Sequence, residues 1–187
     1  MPERTAINVV KPLTVETIAE KRDVTKFFSN TFCSAYMGCS VGPNTFYCVE
    51  IIFEAVNRKF ISEGLASDQM PEFQVFFNDL VFNDFNTLFS QLLPEFSLHF
   101  VHSSYLQQWL SQVPEELQYK ESPAWNKGRI HYTNAPGRVV SAFAPQFAKG
   151  MGMFFEARAK ELVEGGMVVL IMSSIPDGNP DPVFQRA

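Results

Sequence analysis

Three stretches of this chain hold residues whose types and spacing suit chemistry. The first is Gly38-Cys39-Ser40-Val41-Gly42-Pro43-Asn44-Thr45, which follows a short apolar run, Cys33-Ser34-Ala35-Tyr36-Met37, and leads into an amphipathic helical pattern. Strand, glycine turn and helix start, in that order, form the geometry by which α/β folds present backbone N–H groups to a nucleotide-like ligand. Alone, such a turn is a weak signal. Position 36, where a strand feeding such a turn usually carries a carboxylate, holds tyrosine. The second stretch is Asn78-Asp79 at the end of an apolar run over 72–77, where a carboxylate can accept both hydroxyls of a ribose. The third runs from Ser103-Ser104-Tyr105 to Trp109, where aromatic rings can line a pocket or simply fill a core.

Other candidates favour plainer readings. His99 and His102 lie three apart on a strand-like segment, which turns them to opposite faces and argues against a shared metal ion. Cys39 beside Ser40 has no base placed to activate it, so a small turn residue is the simpler reading. Tyr36 could stack on a bound cofactor, but filling space is the simpler reading, and it cannot replace an ionised acceptor. Asn44 is either a ligand contact or a polar residue at a helix start.

The elements that must position these residues alternate between periods of two and 3.6. Strands are expected at 33–37, 72–77, 97–102 and 167–172. Helices are expected over 14–22 behind Thr14, from Pro43 to Gly64, from Asn83 past Phe89, and briefly around Trp109. A long helical pattern follows, with Val140, Phe143, Phe147, Met151, Phe155 and Leu162 on one face. A kink or late start is expected near Pro145, and Gly165-Gly166 as its C-cap. Strands alternating with helices predict an α/β fold with a mostly parallel sheet covered on both faces.

Bulk properties narrow the function. The chain has 187 residues, of which 46% are hydrophobic, enough for one domain with a substantial core. A net charge of −5 without any Lys/Arg run makes nucleic acid and anionic membrane surfaces poor partners. No stretch has the apolar length of a membrane span, and the first residues do not read as a signal peptide. Three cysteines without zinc-ligand spacing suit reduced thiols, and a cytoplasmic location is expected.

Read together, the three stretches resemble the plant SABATH carboxyl methyltransferases. The likeness rests on Gly38–Thr45 as quoted, on Pro71-Glu72-Phe73-Gln74-Val75-Phe76-Phe77-Asn78-Asp79-Leu80 with Asn83-Asp84-Phe85-Asn86-Thr87-Leu88-Phe89, and on Ser97-Leu98-His99-Phe100-Val101-His102-Ser103-Ser104-Tyr105 through Trp109-Leu110-Ser111-Gln112-Val113-Pro114. Trp125-Asn126-Lys127-Gly128-Arg129-Ile130 and the block over 157–166 extend it, so that it covers about residues 30–175. The resemblance implies a Rossmann-like class I methyltransferase core. It implies methyl transfer from S-adenosyl-L-methionine to a small, largely apolar carboxylic acid, with magnesium bound in some members. Gly38, Cys39, Asn44, Asp79 and Leu80 match positions that hold the cofactor. Tyr105, Gln108 and Trp109 match substrate positions, and Asn126 a magnesium position.

The chain also departs from the family pattern. Tyr36 stands where the family has an acid, and residues 1–30 diverge from the family's N-terminal segment. A family segment containing one strand has no counterpart between Leu93-Pro94 and Glu95-Phe96, nor have the strands and helical cap that follow the fourth strand. Residues 1–187 are therefore expected to form a single partial methyltransferase domain, with a frayed tail over 176–187. Its sheet is expected in the order second, first, third, fourth. Phe73, Val75 and Phe77 would lie on a bared edge, which favours a homodimer or pairing with a full-length relative. A catalytically inactive remnant acting through such pairing is the alternative to an active enzyme.

Overall fold

The computed structural model describes residues 2–20, 30–39, 44–78, 93–107, 110, 112–129 and 135–172. Four strands, β1 (Thr31–Met37), β2 (Glu72–Asn78), β3 (Leu98–Ser104) and β4 (Leu162–Ile171), form one parallel sheet in the order β2-β1-β3-β4. That is the order the resemblance implies. Helices α1 (Pro2–Ala19) and α2 (Asn44–Ser62) lie on one face, and α3 (Gly137–Glu161) lies on the other.

The two faces of the sheet divide the core by strand parity, except that an irregularity between Leu98 and Phe100 turns those two to opposite faces. Phe32, Tyr36, Phe100, Met167 and Ile171 pack under Ile7 and Ile18 of α1 and Cys48, Ile51, Ile52, Val56 and Phe60 of α2. Ala35, Met37, Leu98 and Val101 face the other way, against Leu106 and Phe154 of α3. A smaller cluster of Leu117, Ala124, Val139 and Phe143 seats the loop over 112–129 on the first half of α3.

The first helix differs from expectation. It does not start at Thr14 but spans Pro2–Ala19 and runs through Pro12. Proline inside a helix removes one intrahelical hydrogen bond and crowds the carbonyl four residues back. Burial outweighs this cost: Ile7, Thr14 and Ile18 recur on one face and are packed against α2. Side chains of α2 complete the docking. Tyr47 donates to Asn8 Oδ1 at 2.6 Å, and Lys59 Nζ donates to the Ala19 carbonyl at the end of α1 at 2.8 Å.

The long helix also differs. It begins at Gly137 behind Pro136, not near Pro145, which lies on its exposed side. Its buried face is Val139, Phe143, Phe154, Ala157, Arg158 and Glu161, while Val140, Phe147 and Phe155 point outward. Two apolar stripes compete on this helix. The buried one is compatible with charge because Arg158 makes two hydrogen bonds to Glu161, at 2.8 and 2.9 Å, and so removes two isolated charges at once.

Gly165-Gly166 is not the helix C-cap. The helix ends at Glu161, Leu162 is already extended, and both glycines lie within β4. Leu98 pairs with Leu162 and Phe100 with Met167, so four residues of β4 stand opposite His99 alone. Gly165 absorbs that bulge at φ 74, and a Cβ on Gly166 would lie 3.0 Å from the Val163 carbonyl oxygen. The helix expected over 83–89 lies outside the described residues, as does most of the one around Trp109. No described helix is long and apolar enough to cross a membrane.

Candidate cofactor site at the switch between the first and third strands

From β1 the chain crosses to β2 on one side, then returns past β1 to β3 on the other. Such a reversal leaves a crevice at the carboxyl ends of the two diverging strands, the usual ligand position in open α/β sheets. Gly38 and Cys39 follow β1 there, and Tyr105 follows β3.

Gly38 has two reasons to be glycine. Its φ is 75, a left-handed conformation, and a Cβ would lie 3.2 Å from Leu106 Cβ and 3.4 Å from the Ser104 carbonyl oxygen. The turn is also tied to β2: the N–H groups of Gly38 and Cys39 both donate to the Asn78 carbonyl, at 2.8 and 3.2 Å. The backbone donors of these two residues are therefore engaged by the sheet itself. Thr45 in the first turn of α2 donates its hydroxyl to the Cys39 carbonyl, fixing where the helix starts. Cys39 is buried and belongs to the core, in keeping with a small turn residue. Asn44 opens α2 at the crevice, and the first turn of that helix carries no acidic residue to oppose an anion.

Tyr105 turns the chain at the end of β3 with φ 58, an unusual conformation for a bulky residue, and is held by its N–H to the Ile171 carbonyl at 2.8 Å. Tyr36 is 2% exposed and packs in the core with its ring edge-on to His102 at 4.7 Å. It fills the interior beneath α2. Burial lowers the His102 pKa to about 4, so the ring is neutral at pH 7, with Nε2 2.7 Å from Ser104 Oγ. His99 is engaged separately: its Nδ1 accepts the Cys33 N–H at 3.1 Å and its ring stacks on Phe32. Burial raises the Cys33 thiol pKa, and no cysteine forms a disulfide.

Asp79, Leu80, Gln108 and Trp109 lie outside the described residues. Asn126 is far along the chain in the loop packed on α3. Its amide nitrogen donates to the Arg129 carbonyl at 3.0 Å, and the Arg129 N–H returns a bond to the Asn126 carbonyl. It closes a local turn through Lys127 and Gly128, both at positive φ. No three His, Cys, Asp or Glu side chains converge as metal ligands among the described residues. Among the described residues, no acidic or imidazole cluster stands with Asn126 as a magnesium-ligand set.

Two further residues here escape a reading of the sequence. Ser103 donates to the Met37 carbonyl at 3.3 Å, and Gln107 Nε2 donates to Ser103 Oγ at 2.7 Å. Gln107 is only 5% exposed. A glutamine following a strand ordinarily reads as surface, so its burial had no sequence signal.

A parallel sheet with helices on both faces and a glycine turn at its switch point defines an open, Rossmann-like α/β fold. The family profile described as SAM dependent carboxyl methyltransferase matches residues 2–92 and 89–182. The chain belongs to that family, the SABATH methyltransferases. It is 40% identical over 207 residues to a loganic acid O-methyltransferase from Catharanthus roseus, covering 98% of this chain and 54% of that protein. It is 40% identical over 182 residues to a farnesoic acid carboxyl-O-methyltransferase from Arabidopsis thaliana, covering 87% and 51%. A solved loganic acid methyltransferase with SAH superposes with a TM-score of 0.82 at 39% identity, over 95% of this chain and 56% of that one. The chain thus spans about half the length of the relatives it matches.

Proposed function

We propose that this chain supplies the cofactor-binding half of an S-adenosyl-L-methionine-dependent O-methyltransferase acting on the carboxylate of a small, largely apolar acid. One observation carries the reading: the Gly38 turn, closed onto Asn78 and Leu106, sits at the switch point of the sheet with the start of α2 beside it. A side chain at position 38 would collide with Leu106 and the Ser104 carbonyl and so push the turn away from the strand ends. The cofactor, when bound, supplies an electrophilic methyl on a sulfonium.

In this reading Gly38, Cys39, Asn44, Asp79 and Leu80 hold the cofactor, with the Asp79 carboxylate accepting ribose hydroxyls. The positive end of α2 favours an anionic group of the ligand. Tyr105, Gln108 and Trp109 contact the acid. A carboxylate is ionised at pH 7, so no general base is needed, and the residues act by orienting it and excluding water. The neutral His102 and the raised Cys33 thiol take no part. No step of this reading calls on magnesium. A cytoplasmic location follows from the reduced thiols.

A second reading is favoured by exposed apolar surface. Phe77 on the outermost strand is 47% exposed and meets Phe46, which is 69% exposed, edge to face at 5.9 Å, while Val140, Phe147 and Phe155 line the outside of α3. Such surface suits association with a full-length relative or a second copy, without catalysis by this chain. Calorimetric titration at high protein concentration separates the two. Micromolar binding of S-adenosyl-L-methionine or its demethylated product supports the cofactor reading, and silence up to millimolar ligand overturns it.

A further inference from the structure

Among the described residues, two buried side-chain oxygens accept no hydrogen bond: Asn78 Oδ1 and Gln107 Oε1. Both belong to one end and one face of the sheet. Asn78 pairs with Met37 across β1–β2, and Met37 pairs with Ser103 across β1–β3, so these three side chains share the face opposite α2. Gln107 is tethered to Ser103 on that face. The two orphaned acceptors therefore bracket the end of β1, directly beside the Gly38 turn. A buried carbonyl without a partner is costly and rare, and each instance calls for an explanation.

In the structure the Ser103 hydroxyl donates to the Met37 carbonyl at 3.3 Å and accepts from the Gln107 NH2 group at 2.7 Å. This arrangement directs Oε1 away from the tether and leaves it buried without a donor.

We propose that Gln107 is a ligand-recognition residue whose Oε1 accepts an N–H or O–H from the molecule bound at the switch point, with Asn78 Oδ1 as its companion acceptor. The inference rests on the methyltransferase reading above. A bare carboxylate has no donor and would be repelled at this oxygen. The donor must then come from one of two sources: the amino or hydroxyl groups of the adenosyl ligand, or a hydroxyl on the acid. The second source would shift preference from a purely apolar acid to a hydroxylated one.

The test uses the whole chain and the substitution Gln107→Leu, with Gln107→Met as a second variant should the first not fold. Without ligand, relief of the orphaned acceptor outweighs loss of the Ser103 tether, so Tm rises by about 2–4 °C in a chain of this size. In calorimetry, affinity for the demethylated cofactor product falls about tenfold if the adenosyl ligand is the donor. If the acid is the donor, that affinity holds. Wild type then prefers 4-hydroxyphenylacetate to phenylacetate in the presence of that product, and the variant loses the preference. Opposite signs in stability and affinity distinguish recognition from a structural role, which would lower both. Unchanged affinity for the product and unchanged acid preference overturn the inference and leave the cofactor reading intact. No binding of the product to wild type overturns the cofactor reading and the ligand role of Gln107 with it.

Discussion

Replacing Glu161 by alanine is expected to destabilise the fold more than any other single change to a charged residue described above. Glu161 closes α3 with its side chain fully buried, and Arg158, one turn earlier, is almost as buried. The carboxylate takes both guanidinium hydrogen bonds and also accepts the Leu93 N–H at 3.3 Å, while its backbone carbonyl accepts the Ser97 N–H at 2.8 Å. This one residue therefore ties the chain entering β3 to the helix leading into β4. Glu161→Ala leaves the Arg158 cation buried beside Phe154 with no counter-charge, a loss of about 3–5 kcal/mol, and orphans the Leu93 N–H at about 1 kcal/mol more. Against a total stability of roughly 5–15 kcal/mol, that is a third or more of the fold. At a urea dependence of about 2 kcal/mol per molar, the unfolding midpoint falls by roughly 2 M. The double variant Arg158→Met with Glu161→Leu removes both charges and should recover most of the loss. A single-variant loss below about 1 kcal/mol, or a double variant no better than the single, would refute the claim that this pair is desolvated and mutually dependent.

Three further outcomes can be checked. Gly38→Ala places a Cβ at φ 75 and 3.2 Å from Leu106, so Tm should fall by about 2–8 °C, read by thermal melting, and affinity for the demethylated cofactor product should fall with it. Because burial holds the His102 pKa near 4 in the folded chain against 6.5 unfolded, its contribution to stability is complete above pH 6.5. It is lost progressively as pH falls toward 4, about 3 kcal/mol in all; His102→Gln should remove that component of the pH dependence in urea titrations at pH 7 and pH 4.5. On the outer strand, Phe77→Lys should abolish concentration-dependent association in sedimentation measurements while leaving Tm within about 2 °C, and an unchanged sedimentation profile would count against that edge as the contact.

Much of the sheet was legible in the chain itself. The strands β1, β2 and β3 read out within a few residues of their observed bounds because their buried runs are short and flanked by glycine, proline or asparagine. Where the reading failed, a local signal met a stronger tertiary one. Pro12 looked like a boundary, yet the Ile7, Thr14 and Ile18 face carries α1 straight through it, because packing against α2 outweighs one lost hydrogen bond. Gly165-Gly166 looked like a helix stop, yet an expanded bulge opposite His99 uses the same conformational freedom inside β4.

Composition and order of motifs determine the ancestry: the Gly38 turn, the Asn78-Asp79 strand end and the Tyr105 block are contiguous in sequence and keep their meaning without coordinates. Tertiary structure alone decided which stripe of α3 is inside, since Val140, Phe147 and Phe155 are as apolar as the residues that are buried. It also decided that Gln107 is buried with its carbonyl oxygen unpartnered. Burial of a polar group is a property of its neighbours, and Gln107 is held by Ser103, which is tied in turn to Met37 on a strand far back in the chain.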